Sequence, residues 1–352
     1  MILPGATIGI LGGGQLGRML AMAAAQLGYR CHIYAPEKDS VAAEVSASFT
    51  CAAWDDAGAM ARFAQDCAAI TYEFENVPVA PLAAIPQDML LPNPLALETA
   101  QDRLREKRFI ESLGGRPAPF RQVDAAEDLA DALDRIGAPG ILKTRRDGYD
   151  GKGQWRIESA REAEALHLPD SPLVYEGFVR FDAEFSVILV RGRDGIIHFW
   201  DSAENVHEGG VLAQSTVPAS PAIVAQVGKA RDLAAKVAES LEYVGVLTLE
   251  FFATEQGPVF NEMAPRVHNS GHWTIEGALT SQFENHIRAI CGLPLGDTGL
   301  AATRVEMRNL IGTRVNIAPQ VLADPANHLH LYGKARARPG RKMGHVTRLE
   351  LD

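Results

Sequence analysis

The sequence predicts an α/β protein in which a helix-covered parallel sheet is followed by α+β lobes made mostly of strands. Residues 1–95 alternate short apolar strands with helical segments, which is typical of parallel sheets covered on both faces. A cluster of prolines between Pro78 and Pro94 ends that unit. From Leu173 onward, most apolar segments show the two-residue alternation of strands.

Within the N-terminal unit, the periodicity predicts a βαβ arrangement. The expected strands are Ala6–Ile10, Cys31–Tyr34 and Ala68–Phe74, and the expected helices are Gln15–Leu27 and Asp55–Cys67. Gly28 is expected just beyond the first helix, because glycine readily adopts the left-handed conformation that ends a helix.

The later elements follow from the same patterns. Residues 117–178 predict a small strand–helix–strand–loop–strand lobe, and Ser281 with Glu284 predicts a capping box at the start of a helix that Gly292 ends. The other expected elements are a charged helix Leu97–Leu113, strands Glu184–Val190, Ile196–Ser202 and Gln214–Val217, and a helix Ile223–Leu241. Strands and loops are expected from Val305 to the end.

The composition argues against several classes of function. The net charge is −10, whereas nucleic acids and anionic membranes demand a basic surface. The four cysteines show no CxxC spacing, so neither zinc nor a disulfide framework is expected. No apolar run approaches the ~18 residues of a membrane span, and the N-terminus lacks the basic segment of a signal peptide. We therefore expect a cytoplasmic protein.

The most informative segment is Glu250–Trp273, which predicts a β-hairpin followed by a run of polar side chains. Residues 246–252 alternate as a strand, residues 254–258 are expected to turn, and residues 259–263 return. With that turn, Glu250 and Glu262 are directly opposite, with Cβ atoms about 5 Å apart. Two carboxylates so placed indicate a hard cation such as Mg²⁺, although a solvated strand face is the alternative.

Two glycine-rich segments are candidates for binding phosphate. Gly12–Gly17 follows a strand and opens a helix, where backbone N–H groups favour anions. Its spacing also fits a dinucleotide fingerprint, with Glu37 or Asp39 as the ribose acid, or simply a tight turn. Residues 143–154 combine glycines with lysines in a loop able to fold over phosphates, the alternative being a flexible surface loop.

The remaining candidates carry weaker signals. Tyr175–Val179 reads as a linker or as a hinge whose backbone pairs with an adenine edge. The donors from Arg266 to His272 fit an anion site better than zinc, because no HExxH glutamate is present. Arg338–Lys342 is either a solvated basic turn or a second anion clamp.

Together these motifs resemble the ATP-grasp superfamily, and within it the family of 5-(carboxyamino)imidazole ribonucleotide synthases. The resemblance covers essentially the whole chain. It is carried by Ile10–Met19, Thr71–Val77, Gly148–Gln154, the string Asn261–Trp273 and Arg338–His345. It implies an ATP-grasp fold with an N-terminal Rossmann-like domain at 1–95, a small central lobe at 96–178 and a C-terminal mixed-sheet lobe at 179–352.

The resemblance also implies the substrates and the ligands of the site. They are ATP with Mg²⁺, or Mn²⁺ in its place, together with bicarbonate and 5-aminoimidazole ribonucleotide, in a homodimer that binds neither nucleic acid nor membrane. The metal ligands would be Glu250 and Glu262. ATP would contact Arg103, Lys143, Tyr149, Asp150, Gly151, Lys152, Gly153, Gln154, Glu176, Gly177, Phe178, Val179, Glu184, His207, Asn261 and Glu262.

The ribonucleotide and bicarbonate would bind a second set. Its members are Gly14, Gln15, Leu16, Glu75, Tyr149, Asp150, Arg266, His268, Asn269, Ser270, Arg341 and Lys342. The residues expected to act in catalysis are Asp150, Lys152, Arg266, His268 and Lys342, with Asp150 orienting or deprotonating the amine. The chain departs from many relatives at Gly177, where they carry a lysine, and it ends soon after the basic turn.

The activity implied is ATP-dependent carboxylation of the exocyclic amine through carboxyphosphate, in purine biosynthesis. One alternative is the formate-dependent glycinamide ribonucleotide ligase of the same superfamily. Another is an NAD-dependent oxidoreductase, which has no use for Glu250 and Glu262. A non-catalytic nucleotide sensor is the third, and retention of both carboxylates and Lys143 argues against it.

Overall fold

The structure is a computed structural model that describes residues 1–148 and 153–351. Three separate sheets lie within residues 7–72, 120–177 and 183–350. The predicted domain boundaries at residues 95 and 178 stay a prediction. Within the described ranges, no helix is both long and apolar enough to cross a membrane.

The N-terminal unit is a parallel sheet, as predicted, but it has four strands instead of the three expected. Its strands run in the order β3-β2-β1-β4. Its elements are β1 (Thr7–Leu11), α1 (Gln15–Gln26), β2 (Arg30–Ala35), β3 (Ser48–Cys51), α2 (Ala57–Gln65) and β4 (Ala69–Tyr72). Gly28, with φ +81°, lies just past α1 as expected. The edge strand β3 was not predicted, because it is only four residues long and none of its side chains is buried.

The single charged helix predicted at 97–113 is wrong. Two helices replace it, α3 (Pro94–Ala100) and α4 (Arg103–Ser112). The side chain of Asp102 accepts hydrogen bonds from the backbone N–H groups of Leu104 and Arg105, at 3.0 and 3.2 Å. Asp102 therefore caps a new helix and orients its first residue, Arg103.

The small lobe is an antiparallel four-stranded sheet in the order β5-β8-β6-β7. Its elements are β5 (Phe120–Val123), α5 (Ala126–Ile136), β6 (Gly140–Thr144), β7 (Gln154–Ile157), α6 (Ala160–Ala165) and β8 (Leu173–Gly177). Gly153 has φ +68°, and a Cβ there would come within 2.6 Å of the hydroxyl oxygen of Thr144. Glycine is therefore required where the chain enters β7.

The large lobe is built on a nine-stranded antiparallel sheet in the order β14-β13-β9-β11-β12-β15-β17-β16, with β10 paired to β9. Its strands are β9 (Ala183–Arg191), β10 (Ile197–Phe199), β11 (Ala203–Glu208), β12 (Val211–Val217), β13 (Gly245–Thr254), β14 (Gly257–Ala264), β15 (Arg304–Ile311), β16 (Asn327–Leu331) and β17 (Lys342–Glu350). Its helices are α7 (Pro221–Ser240), α8 (Thr274–Gly277), α9 (Gln282–Cys291) and α10 (Ala318–Val321).

The capping box predicted for α9 is half present. The side chain of Ser281 accepts a hydrogen bond from the backbone N–H of Glu284 at 3.1 Å. The carboxylate of Glu284 instead pairs with Arg288 one turn later. Gly292 ends the helix in the left-handed conformation, as expected.

Helix α9 joins the N-terminal unit to the large sheet, since it packs against α1 on one side and β13 on the other. A buried hydrogen bond crosses the same junction, from His286 Nε2 to the Thr71 hydroxyl at 2.8 Å. Because the backbone N–H of Val246 donates to His286 Nδ1 at 3.1 Å, the single imidazole proton lies on Nε2 and is donated to Thr71. This contact fixes the end of β4 relative to the hairpin β13–β14.

We predict that Thr71→Val lowers the free energy of unfolding by ~1–3 kcal/mol, because it leaves the His286 N–H buried without an acceptor. Urea denaturation measures the change. The matched control is Thr347→Val, since Thr347 is equally buried and its hydroxyl has no partner among the described residues. Equal losses from both variants would contradict the prediction.

Buried neutral histidines should also make stability depend on pH. Burial lowers the pKa of His286 to about 3, and burial with neighbouring histidines holds the pKa values of His272 and His345 well below their ordinary range. In the unfolded chain each titrates near ~6.5, so below that pH the unfolded state binds more protons. We expect each of these histidines to lower the free energy of unfolding below pH ~6.5, by up to ~1.4 kcal/mol per pH unit.

Urea denaturation between pH 8 and pH 5 tests this dependence. The exposed His328 offers a control, because His328→Asn should leave the curve unchanged. The raised pKa values of Glu106 and Glu250 act in the opposite direction, so the contribution of a histidine is the difference between the curves of the wild type and of His286→Asn. Equal slopes for these two proteins would exclude the buried neutral state of His286.

Candidate active site

A cavity of about 400 Å³ lies between the small lobe, the large sheet and the N-terminal unit. It is lined mainly by charged side chains, so it suits anionic ligands with a cation rather than an apolar ligand. Twelve of the predicted site residues line it: Glu75, Arg103, Lys143, Gln154, Glu184, His207, Glu250, Asn261, Glu262, Arg266, His268 and Lys342. Residues separated by nearly the whole chain therefore meet at one place.

The hairpin pairs Glu250 with Glu262, as the sequence predicted, but through different geometry. Thr254 pairs with Gly257, so the turn is only two residues and the predicted five-residue turn is wrong. With that turn alone, Glu250 would oppose Asn261. A β-bulge between Glu250 and Phe251 shifts the register by one residue and restores the pair.

The two carboxylates differ in their electrostatic environment. Burial and the nearby charge of Glu262 raise the pKa of Glu250 to about 7. Burial opposes ionisation of Glu262 as well, but Arg103 and Lys143 outweigh it and lower its pKa. Arg103 Nη1 lies 3.4 Å from Glu262 Oε2. Glu262 thus holds its charge, whereas Glu250 would need a further cation close by to be fully ionised at neutral pH.

These two oxygen donors fit Mg²⁺, which commonly takes one or two carboxylates and completes its shell with phosphate oxygens and water. Among the described residues, no third carboxylate, histidine or cysteine joins the pair in a possible metal-binding group. The donor set therefore suits a cation that arrives with a phosphate, rather than one enclosed by protein alone.

On the small-lobe side, a buried ion-pair cluster supports the cavity wall. Glu176 accepts a hydrogen bond from Lys143 Nζ at 2.9 Å, and Lys107 Nζ lies 3.3 Å from its other oxygen. Burial opposes the charge on Glu176, but the two ammonium groups outweigh it and lower its pKa to about 2. Burial raises the pKa of the adjacent Glu106 to about 8, while its Oε1 accepts the backbone N–H of Met263 at 2.7 Å.

On the opposite side, Arg266 and His268 face the cavity. Arg266 pairs with Glu75 through Nη2 and donates to the Val267 carbonyl through Nη1 at 3.0 Å. His268 Nε2 lies 3.5 Å from Glu250 Oε1. Burial, together with Arg266 and Lys342, holds the pKa of His268 well below its ordinary range. The arrangement presents donors to an anion close to Glu250.

Comparisons with known proteins agree with this geometry. The ATP-grasp domain matches residues 108–283, the ribonucleotide synthetase preATP-grasp domain matches residues 5–101, and the phosphoribosylaminoimidazole carboxylase C-terminal domain matches residues 306–352. The N5-carboxyaminoimidazole ribonucleotide synthase of Brucella melitensis is 51% identical over 99% of this chain and 97% of its own length.

Solved structures match over the same length. The N5-carboxyaminoimidazole ribonucleotide synthetase of Thermus thermophilus is 49% identical with a TM-score of 0.90, covering 97% of this chain and 93% of that one. The Aspergillus clavatus synthase, crystallised with ADP and 5-aminoimidazole ribonucleotide, is 31% identical with a TM-score of 0.88, covering 98% and 93%.

The chain belongs to the N5-carboxyaminoimidazole ribonucleotide synthase family. The predicted ATP-grasp fold and the predicted enzyme class, an ATP-dependent ligase that carboxylates aminoimidazole ribonucleotide in purine biosynthesis, are thereby confirmed. The alternatives of a formate-dependent ligase, an NAD-dependent oxidoreductase and a nucleotide sensor find no match among these relatives.

Several residues predicted for this synthase site lie elsewhere. Ser270 is fully buried, and its hydroxyl contacts His268 and Ser186 instead of the cavity. Asn269 is also buried, and Arg341 donates to the Arg336 carbonyl on the exposed basic turn. The predicted residues Tyr149, Asp150, Gly151 and Lys152 lie outside the described residues.

The predicted adenine hinge is partly occupied by its own backbone. The carboxylate of Glu176 lies in the ion-pair cluster, and the N–H groups of Gly177 and Phe178 donate to the carbonyls of Pro119 and Pro139, at 2.8 and 3.1 Å. Val179 lines a second cavity, together with Pro119 and Phe181. Hinge recognition of adenine therefore stays a prediction, with fewer available donors than the sequence suggested.

The glycine-rich turn of the synthase holds an internal carboxylate. Glu73 accepts hydrogen bonds from the N–H groups of Gly14 at 2.8 Å and Gly17 at 3.3 Å. A Cβ on Gly14 would come within 2.8 Å of the Glu73 carboxylate, so the turn is shaped around that side chain. The N–H groups of Gln15 and Leu16, in the first turn of α1, have no intrahelical acceptor and stay candidates for phosphate.

Sequence reasoning missed Glu73, Glu106 and Lys107. A signal for Lys107 was present, because it follows Arg103 by four residues and so shares its helix face. Glu73 stands two residues before Glu75 in a motif that the resemblance already included. Their burial, which explains their roles, depends on tertiary packing.

We predict that Lys107→Met destabilises the protein by ~2–4 kcal/mol, because it leaves Glu176 buried with a single partner. Lys143 then balances Glu176 alone, and we expect the KM for ATP to rise about tenfold. Urea denaturation and steady-state kinetics measure the two effects.

The control is Arg105→Met on the same helix. Arg105 forms an exposed pair with Glu98 at 2.9 Å, so its loss should cost less than ~1 kcal/mol. Equal destabilisation by the two variants would contradict the role of the buried cluster.

Proposed function

We propose that this cavity carries out the synthase reaction with ATP phosphates on the Arg103–Lys143 side and bicarbonate on the Arg266–His268 side. The observation that carries the proposal is the pair Glu250 and Glu262, which lies between these two groups of hydrogen-bond donors in one cavity. Transfer of the γ-phosphoryl group to a bicarbonate oxygen brings two anions together, so a site with donors on both sides stabilises it.

Glu250 and Glu262 would hold Mg²⁺, or Mn²⁺ in its place. When bound, the cation neutralises charge on the phosphates and on the transferring phosphoryl group. The raised pKa of Glu250 supports this assignment, because a buried carboxylate facing a second one is stabilised in its charged form by a cation.

The chain's own residues would perform the remaining steps. Arg103 and Lys143 orient the phosphates, and Arg266 aligns bicarbonate through donors that are not used by Glu75 or Val267. The exocyclic amine of the ribonucleotide attacks the carboxyl carbon of the resulting carboxyphosphate and breaks its bond to phosphate, which leaves as inorganic phosphate; alternatively, the amine attacks CO₂ that is released together with this phosphate inside the closed site. We propose that Asp150 orients or deprotonates that amine and that the 149–154 loop excludes water.

The ribonucleotide would lie towards the N-terminal unit, near Glu75 and Lys342, with its phosphate at the amides of Gln15 and Leu16. The proximity of Glu75 to Arg266 supports this placement, because it brings the amine close to the activated carboxyl group. A cytoplasmic homodimer is also part of the proposal, and sedimentation analysis tests the assembly.

The decisive assay is ADP formation that requires both bicarbonate and aminoimidazole ribonucleotide. Replacing bicarbonate by formate, and the ribonucleotide by glycinamide ribonucleotide, should abolish turnover. Activity with the formate pair would assign the chain to the alternative ligase.

We predict that Glu262→Gln lowers kcat by ~100-fold or more and raises the Mg²⁺ concentration needed for half-maximal rate. The control is Glu255→Gln, because Glu255 is exposed in the turn of the same hairpin and should leave both values unchanged. A Glu262→Gln enzyme with an unaltered Mg²⁺ requirement would remove this carboxylate from the metal site.

A further inference from the structure

We infer that His268 is held with its only imidazole proton on Nε2, by a buried hydrogen-bond relay of Ser270, Ser186, Asn205 and Ser215. The position of the proton follows from the hydrogen bonds alone. What the proton does for bicarbonate rests on the proposed function. The relay residues other than His268 do not line the cavity, so they are positioning residues.

The direction of the relay is set at its histidine end. The backbone N–H of Ser270 donates to His268 Nδ1 at 3.3 Å, and an amide N–H cannot reverse its role. Nδ1 is therefore an acceptor and carries no proton. The Ser270 hydroxyl, 2.8 Å from the same nitrogen, must then donate to it as well.

Each later contact follows from that assignment. Because the Ser270 hydroxyl has donated its one proton, the Ser186 hydroxyl at 2.8 Å must donate to Ser270. Ser186 must in turn accept from Asn205 Nδ2, which lies 3.2 Å away. The amide oxygen of Asn205 then accepts from the Ser215 hydroxyl at 2.7 Å. The relay thus crosses three strands, β9, β11 and β12, with one consistent direction.

The backbone of His268 is fixed independently of its ring. Its N–H donates to Gln282 Oε1 at 2.9 Å, and its carbonyl accepts from Gln282 Nε2 at 2.6 Å. Gln282 is fully buried at the start of α9. Because hydrogen bonds hold both the main chain and Nδ1 of His268, the imidazole ring has a single orientation, and this orientation sets the direction of Nε2.

Nε2–H is consequently presented on the cavity side, 3.5 Å from Glu250. In this tautomer the only basic nitrogen, Nδ1, is occupied inside the protein, so His268 cannot remove a proton from a ligand in the cavity. It acts as a fixed donor to an oxygen of bicarbonate or carboxyphosphate, where a preorganised donor stabilises developing negative charge. His268 therefore serves as an electrophilic donor and not as a general base.

The first experiment locates the proton directly. Protein labelled with ¹⁵N in histidine is studied without ligands by two-bond proton–nitrogen correlation, which separates bare and protonated imidazole nitrogens. His268 is assigned by the signal lost in His268→Gln. We expect a bare Nδ1 and a protonated Nε2. A protonated Nδ1, or a doubly protonated ring, would overturn the inference, and neither result depends on enzymatic activity.

The second experiment tests the relay with one substitution made at four positions. Ser270→Ala and Ser186→Ala should lower kcat about tenfold, Ser215→Ala about threefold, and all three should leave the KM for ATP within about twofold. The ¹⁵N spectrum of Ser270→Ala should show a mixture of His268 tautomers. Ser202→Ala is the control, because Ser202 is buried and its hydroxyl has no partner among the described residues.

The expected loss of kcat becomes smaller from Ser270 to Ser215 along the relay. This decrease separates a positioning role from a packing role, since every variant removes the same atom from a buried serine. If Ser186→Ala does not fold, Ser215→Ala at the far end carries the same test. Equal kcat values for Ser215→Ala, Ser270→Ala and Ser202→Ala, with an unchanged His268 spectrum, would refute the relay. The expected proton signature in a protein that shows no synthase turnover would instead count against the proposed function and leave the tautomer assignment intact.

Discussion

The repulsion between Glu250 and Glu262 is the constraint on which the rest of the site depends. A β-bulge places the buried carboxylate of Glu250 directly opposite that of the half-exposed Glu262, where the two like charges repel. The positive charges of Arg103 and Lys143 stabilise the ionised form of Glu262. The fold leaves Glu250 with a pKa of about 7, so that a nearby cation would determine how fully this carboxylate is ionised. In the proposed site, binding of metal and nucleotide would therefore depend on the hairpin register.

Charges further back maintain that balance. Arg103 and Lys143 cannot serve both Glu262 and a ligand unless their own positions are fixed, and desolvation makes each of them expensive to bury. In the wall behind the cavity, Glu176 forms ion pairs with both Lys107 and Lys143, and these pairs help to hold Lys143 in place. Asp102 contributes by starting helix α4 at the residue before Arg103, while also pairing with Arg145 at 2.6 Å. Asp102 therefore explains two observations: the predicted helix 97–113 is broken at this residue, and Arg103 is oriented towards the proposed phosphate side of the cavity.

The sequence predicted those parts of the fold that depend on local patterns. The parallel sheet, Gly28, the start of α9 and the Glu250–Glu262 pair all follow from periodicity and from turn chemistry over a few residues. The pair was predicted from a turn of the wrong length, because a bulge of one residue compensates for a turn that is shorter than expected. The register of the hairpin depends on both the length of the turn and the presence of the bulge. Neither Gly257 nor Asn261, taken alone, shows in the sequence which turn length or which bulge the hairpin has.

What could not be predicted depends on contacts between distant segments. Ser270 belongs to a polar run that resembles a binding loop, and only its burial against Ser186 on β9 shows that it acts behind His268. Glu73 was overlooked for the same reason, since its partners, Gly14 and Gly17, are nearly sixty residues earlier. A glycine turn looks alike in sequence whether a phosphate or a carboxylate of the same chain occupies it.

The N-terminal unit and the catalytic hairpin are coupled through two contacts of different kinds. The buried bond from His286 to Thr71 fixes the end of β4, and four residues later Glu75 pairs with Arg266 at the cavity. Arg266 thus begins with an anionic partner, Glu75, on the side where the ribonucleotide is proposed to bind. In the proposed site, an arriving bicarbonate would have to share or displace that partner, whereas a ribonucleotide amine near Glu75 would help to release it. The two substrates would then be linked through one guanidinium group, which would give the enzyme a physical reason to activate bicarbonate when its acceptor is present.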